Sequence, residues 1–301
     1  MSYFLLELSV GVGWVVTSTP EANSFLLEFA SILHLKPIKP NEKNTYPRII
    51  FFRLKQDKCA LSLLNDSRSK LADDCFSSTW KVQDLSVLRR WLNDKSFDDI
   101  LIELGNDNHP ELEIIRMWTA LYIVSQRIQR SGGLLFHSAL VEYKGKGFLL
   151  VGTGGIGKST ACKRLPPDWT PLSDDQVLII LDVKNGCYAH PVPTWSDYIL
   201  KRKGGISHPF SLNVPLQAIF FLEQAESDDI IPISKKQTIL LLNQSVSEIY
   251  RPYLRKLCPE EKRITRTELF HKSYELALKI PAYILKNSLH GKFWEKIAGV
   301  I

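Results

Sequence analysis

Residues Phe148 to Thr160 constrain this chain more than any other stretch. An apolar run, Phe148 to Val151, reads as a buried strand. The pattern G-x-x-x-x-G-K-S follows from Gly152 to Ser159, and a helix opens behind it. This is the phosphate-binding loop pattern in the strand–loop–helix context it requires. Its glycines let the backbone turn tightly and aim N–H groups at phosphate oxygens. Gly152, Thr153, Gly154, Gly155, Ile156, Gly157, Lys158, Ser159 and Thr160 are therefore the expected nucleotide contacts. Lys158 would reach the β- and γ-phosphates, Ser159 would hold Mg²⁺, and the start of the helix adds positive potential. A glycine-rich turn with an accidental Lys-Ser is the bland reading, but the four fixed positions coincide by chance about once in a hundred chains of this size.

With 301 residues, 45% hydrophobic and 23% charged, the chain has the composition of a globular protein of one large or two smaller domains. The net charge of +6 comes from 38 basic and 32 acidic residues spread along the sequence. No basic stripe with interleaved aromatics stands out, which argues against nucleic acid as a partner. Five cysteines, at positions 59, 75, 162, 187 and 258, are odd in number and lack metal-ligand spacing. Free thiols in a reducing cytoplasm are expected. The first residues lack the basic segment of a signal peptide, and no apolar run approaches the ~18 residues of a membrane span, so no membrane partner is expected.

Read in order, residues 3–18 give one or two strands, and Pro20 opens a helix to Leu33. Arg48 to Leu54 is a strand, the stretch 56–78 is polar and irregular, and Asp84 caps a helix carrying Leu85, Leu88, Trp91 and Leu92. Ile100 to Leu104 is a strand. Pro110 starts a helix to about Arg130 with Ile114, Trp118, Leu121, Tyr122, Val124 and Ile128 at helical spacing. Leu134 to Glu142 is a strand, and Lys144 to Gly147 turns it back as a hairpin into the loop strand. Further strands fall at 177–181, 187–190, 216–222 and 282–288. Helices fall at 235–256 and 260–279, and a short one follows Gly291. The expected class is α/β, with a small α+β N-terminal domain at 1–108 and a nucleotide domain with a mixed sheet at 109–301.

Three features surround the loop in sequence, the third being the stretch His190-Pro-Val-Pro-Thr-Trp-Ser-Asp-Tyr198. His137 lies on the strand before it, and Asp174-Asp175 follow some fifteen residues after Lys158. Alone, the first reads as a core histidine and the second as a solvated turn. Around a phosphate loop they acquire a purpose. Phosphoryl transfer needs a carboxylate near Mg²⁺ and a group that deprotonates the acceptor, and two adjacent aspartates supply both. A cation and a partner such as His137 make their joint ionisation tolerable. Asn-Lys-x-Asp of GTPases, the Leu-Ser-Gly-Gly-Gln transporter signature and the Asp-Glu strand end of motor ATPases do not occur.

Strand, hairpin, loop, short helix and Asp-Asp together resemble HPr kinase/phosphorylase. The residues are Leu-Leu-Phe-His-Ser-Ala-Leu-Val from Leu134, Gly-Thr-Gly-Gly-Ile-Gly-Lys-Ser from Gly152, and Leu-Ser-Asp-Asp from Leu172. The HPr-kinase-like ScmC type of the SynChlorMet peptide-modification cassettes is more similar still. That likeness adds Ala-His-Pro-Val-Pro-Thr-Trp-Ser-Asp-Tyr at 189–198, Ala-Ile-Phe-Phe-Leu-Glu-Gln at 218–224 and Gly-Lys-Phe-Trp at 291–294.

The resemblance implies the phosphoenolpyruvate-carboxykinase-like phosphate-loop fold, ATP with Mg²⁺, and a serine-type hydroxyl on a peptide or small protein as acceptor. By position it makes Asp174 the general base in contact with His137 and puts Asp175 beside the metal with Ser159, so that Asp174, His137 and Lys158 are the catalytic set. Thr160 stands where HPr kinases carry Glu, and the arginine signature of bifunctional enzymes is not recognisable after residue 200. The acceptor and the reverse reaction therefore stay open, as does homo-oligomerisation. Lys201 to Gly205 reads either as a substrate-contacting loop or as a solvated turn. The rival reading is an accessory protein that binds nucleotide without transferring phosphate; a small-molecule kinase differs only in acceptor.

Overall fold

A computed structural model describes residues 1–39, 46–53, 80–93, 99–107, 109–182, 186–200 and 206–301. The stretch 56–78 and the segment from Lys201 to Gly205 lie outside these residues. The chain forms two compact units, Met1–Gln126 with Trp195–Arg202, and Arg127–Thr194 with Lys203–Ile301. Each mixes helices with a mixed sheet, so the class is α/β.

The first unit holds β1 (Tyr3–Glu7), β2 (Gly13–Ser18), α1 (Asn23–Ile32), β3 (Lys36–Pro37), β4 (Arg48–Phe52), β5 (Trp80–Asp84), β6 (Leu88–Asn93) and β7 (Ile100–Leu104). They form one sheet in the order β3-β1-β2-β4-β7-β6-β5. The central neighbours β2, β4 and β7 run parallel. Such strands are buried on both faces and read as continuous apolar runs, as Ile49-Ile50-Phe51-Phe52 does. Phe51 packs edge-on against Phe25 and Phe29 of α1, with ring centroids 4.9 and 5.2 Å away.

The helix expected from Asp84 is instead the hairpin β5–β6, with Leu88 opposite Leu104 and Trp91 opposite Leu101 on β7. Asp84 Oδ1 accepts the Ser86 N–H at 2.7 Å, and Ser86 adopts a positive φ of 74°. The aspartate closes a turn, a role it fills as readily as a helix cap.

Helix α2 (Pro110–Arg130) has the expected extent. Ile114, Met117, Leu121, Val124 and Ile128 are buried on one stripe, but Trp118 is exposed.

The second unit continues with β8 (Gly133–Phe136), β9 (Ser138–Tyr143), β10 (Lys146–Val151), α3 (Lys158–Arg164), β11 (Trp169–Ser173), β12 (Gln176–Asp182) and β13 (Gly186–Val192). After α4 (Trp195–Ile199), which belongs to the first unit, come β14 (Val214–Gln224), β15 (Asp229–Pro232), α5 (Lys235–Leu254), α6 (Pro259–Lys279), β16 (Ala282–Asn287) and α7 (Phe293–Ala298). Strand β10 pairs antiparallel with β9 and parallel with β14, and β14 pairs parallel with β16. The hairpin into the loop strand is therefore present, turned at Lys144-Gly145 with both φ positive.

The core beneath the loop strand gathers Phe148, Leu150, Trp169, Phe220, Leu285 and Phe293. Tyr143 stacks on Trp169 at 4.4 Å. Each fully buried side chain of this size contributes about 1.5–3 kcal/mol.

Candidate functional site

Strand pairing alone brings the candidate residues together. The single strand expected over Leu134 to Glu142 is two strands, broken at His137. Strand β8 pairs with β12 and β9 pairs with β10 and β11, so His137 sits where the chain changes partners. Asp174-Asp175 form the matching break between β11 and β12. Ser173 lies near Leu140 in one ladder and Val177 opposite Phe136 in the other, which sets the aspartates beside His137. On the third side Val151 pairs with Ser138, so the glycine loop departs next to the same histidine.

The loop itself runs from Gly152 to Gly157, largely exposed from Thr153 to Gly155. Gly155 and Gly157 take φ of 81° and 109°, which favour glycine. Gly157 is the N-cap of α3 and its carbonyl accepts Ala161 N–H at 2.8 Å. A Cβ on Gly152 would lie 2.7 Å from Ile156 Cγ2, so this first position is tight as well. Ser159 and Thr160 are exposed on the first turn.

Lys158 is 6% exposed, and its ammonium donates to the carbonyl oxygens of Gly152 at 2.7 Å and Thr153 at 3.2 Å. Burial lowers its pKa, while the charges of Asp175, Glu248 and Asp174 oppose the shift.

His137 is clamped from two sides. Its Nδ1 lies 3.0 Å from Glu248 Oε2 and its Nε2 3.5 Å from Asp175 Oδ1. Its backbone carbonyl accepts the hydroxyl of Ser245 at 3.2 Å. Ser245 and Glu248 are one turn apart on α5, so a single helix face holds both ends of the histidine. The partner expected for His137 was Asp174; the carboxylates it meets are those of Asp175 and Glu248. Asp174 is held elsewhere, its Oδ1 accepting Thr194 Oγ1 at 2.6 Å.

Thr194, Ser245 and Glu248 are the site residues that sequence reasoning missed. Thr194 falls inside the 189–198 segment but carried no role there. Ser245 and Glu248 are polar residues on an amphipathic helix, with no spacing that ties them to position 137.

Beside the loop lies a cavity of about 140 Å³, bounded by Gly152, Thr153, Ile156, Leu241, Ser245 and Glu248 among others. Among the described residues no group of three or more His, Cys, Asp or Glu is placed so that it could hold a metal ion by itself. No described helix is long and apolar enough to cross a membrane.

The second unit is thus an α/β unit built around a glycine-rich strand–loop–helix turn, with a histidine and two aspartates set beside the start of the loop. The chain belongs to the family described as SynChlorMet cassette protein ScmC, whose sequence model matches residues 100–301. No curated protein matches it.

Proposed function

We propose that the protein is an ATP-dependent kinase that phosphorylates a hydroxyl, foremost that of serine, on a peptide or small protein. The observation that carries this reading is the strand pairing that sets Asp174-Asp175 and His137 beside the start of the glycine loop, with Thr194 against Asp174 and His137 against Asp175. A loop that only bound phosphate would not need them. The same holds for an accessory protein that keeps nucleotide without transferring phosphate. The resemblance of Gly133–Asp175 to HPr kinases points the same way.

In this reading Lys158 and the loop amides from Gly152 to Thr160 hold the phosphates. The Ser159 hydroxyl and the Asp175 carboxylate are oxygen donors, the kind that Mg²⁺ takes alongside phosphate oxygens and water. That ion supplies charge neutralisation on the phosphates. Asp174 accepts the proton of the acceptor hydroxyl. The acceptor oxygen bonds to the γ-phosphorus as the bond from that phosphorus to the β–γ bridging oxygen breaks, giving a phosphoester and ADP. His137, held by Glu248, steadies Asp175.

The odd number and wide spacing of the five cysteines support a reducing cytoplasmic setting. The test is transfer of label from γ-labelled ATP to a library of serine-containing peptides. Labelled phosphopeptide made by the wild type supports the reading, and none with any peptide overturns it.

A further inference from the structure

We infer that Thr194 is a positioning residue for Asp174, fixing the carboxylate that takes the acceptor proton; the inference rests on the kinase reading of the site. Thr194 follows the end of the β12–β13 ladder. Gln176 pairs with Val192, and the same register carried two places further sets Thr194 opposite Asp174. The ladder itself ends at the Gln176–Val192 pair. The Thr194 side chain makes the contact instead, with Oγ1 donating to Asp174 Oδ1 at 2.6 Å. Thr194 is 6% exposed, so its β-branched side chain has little freedom and the donor is held in place.

The neighbouring aspartate shows why such a tether matters. Asp175 faces His137 Nε2 at 3.5 Å, and His137 is in turn held by Glu248. Two adjacent carboxylates therefore have two separate anchors, one reaching each. Without the threonine hydroxyl, Asp174 is the one that loses its anchor. Oδ1 is committed to Thr194, which leaves Oδ2 as the oxygen presented to a hydroxyl.

A merely structural Thr–Asp staple predicts a different set of outcomes, so three variants separate the readings. Thr194→Val keeps shape and removes the donor, Thr194→Ser keeps the donor, and Asp174→Asn identifies the Asp174 resonance by its loss. With γ-labelled ATP and the serine-peptide library, Thr194→Val should lower kcat about ten- to a hundredfold. Its affinity for Mg²⁺·ATP should stay within about twofold of the wild type, and Thr194→Ser should recover most of the rate. The carboxyl ¹³C resonance of Asp174 should move in Thr194→Val and return in Thr194→Ser. This last readout needs no turnover. If the wild type labels no peptide but the resonance behaves as stated, the kinase reading fails and the tether stands. An unmoved resonance, an unchanged kcat, or parallel losses of kcat and nucleotide affinity in Thr194→Val would overturn the inference.

Discussion

Lys158 Nζ lies 2.7 Å from the carbonyl oxygen of Gly152, the first glycine of its own loop. The lysine thus folds back on its own loop, and in the proposed reading a bound phosphate replaces the carbonyl oxygens of Gly152 and Thr153 as its partners. Its pKa is lowered from the ordinary 10.5 by burial. The ammonium is therefore lost at a lower pH than from an exposed lysine. Nucleotide affinity should fall as pH rises towards that value, beginning earlier than for an ordinary lysine. Lys158→Met should bind at least about tenfold more weakly and lose this pH dependence. Titration calorimetry with Mg²⁺·ATP across the alkaline range checks both.

The glycines of the loop are not equivalent. Gly157 has a φ of 109°, whereas Gly154 has no positive φ, and a Cβ there meets nothing within 4 Å. Gly157→Ala should cost about 1–2 kcal/mol from backbone strain. Gly154→Ala should leave stability nearly unchanged. Urea denaturation of the two variants, side by side, measures the contrast.

Arg164 fastens α3 to the segment after β16. Its guanidinium donates to Ser288 O at 2.7 Å, to Asn287 Oδ1 at 3.3 Å and to Gly291 O. Arg164→Ala should destabilise by about 2–3 kcal/mol, since it leaves several acceptors without their charged donor. Arg164→Lys, a point charge in place of a fork, should fall between. Limited proteolysis should cut the Ala variant sooner beyond residue 287.

His190 is fully buried, with Nδ1 3.2 Å from Phe210 O, and burial pushes its pKa down from 6.5 to about 4. The folded state therefore refuses a proton that the unfolded chain takes. The stability held above pH 6.5 should be lost progressively as pH falls to about 4. The loss should reach roughly 3 kcal/mol from this group. His190→Leu should be less stable near neutrality, because Phe210 O loses its donor, yet flat across that window. Denaturant melts at stepped pH test the slope.

What the sequence showed well was local. Apolar run, glycines and Lys-Ser sit next to one another in the chain, so the β10–loop–α3 turn was legible. So was α2, whose apolar spacing and Pro110 define it without outside help. The β5–β6 hairpin was not, because Asp84 and four spaced apolar residues satisfy a helix as well as a hairpin, and pairing with β7 decides between them. His137 was found, but its place at a strand break was not, because only the pairing of β8 and β9 with different neighbours creates it. Glu248 lies 111 residues from His137, and Thr194 reaches Asp174 only through the β12–β13 register. Contacts of that kind are set by tertiary packing, and no local pattern announces them.

The central claim is that Asp174 takes the proton during transfer of the γ-phosphate. Its most direct test is the single-turnover rate of label transfer from γ-labelled ATP to serine peptides, for the wild type and Asp174→Asn. The account predicts nucleotide affinity close to wild type in the variant and a transfer rate reduced at least about a hundredfold. Transfer by Asp174→Asn at the wild-type rate would contradict it.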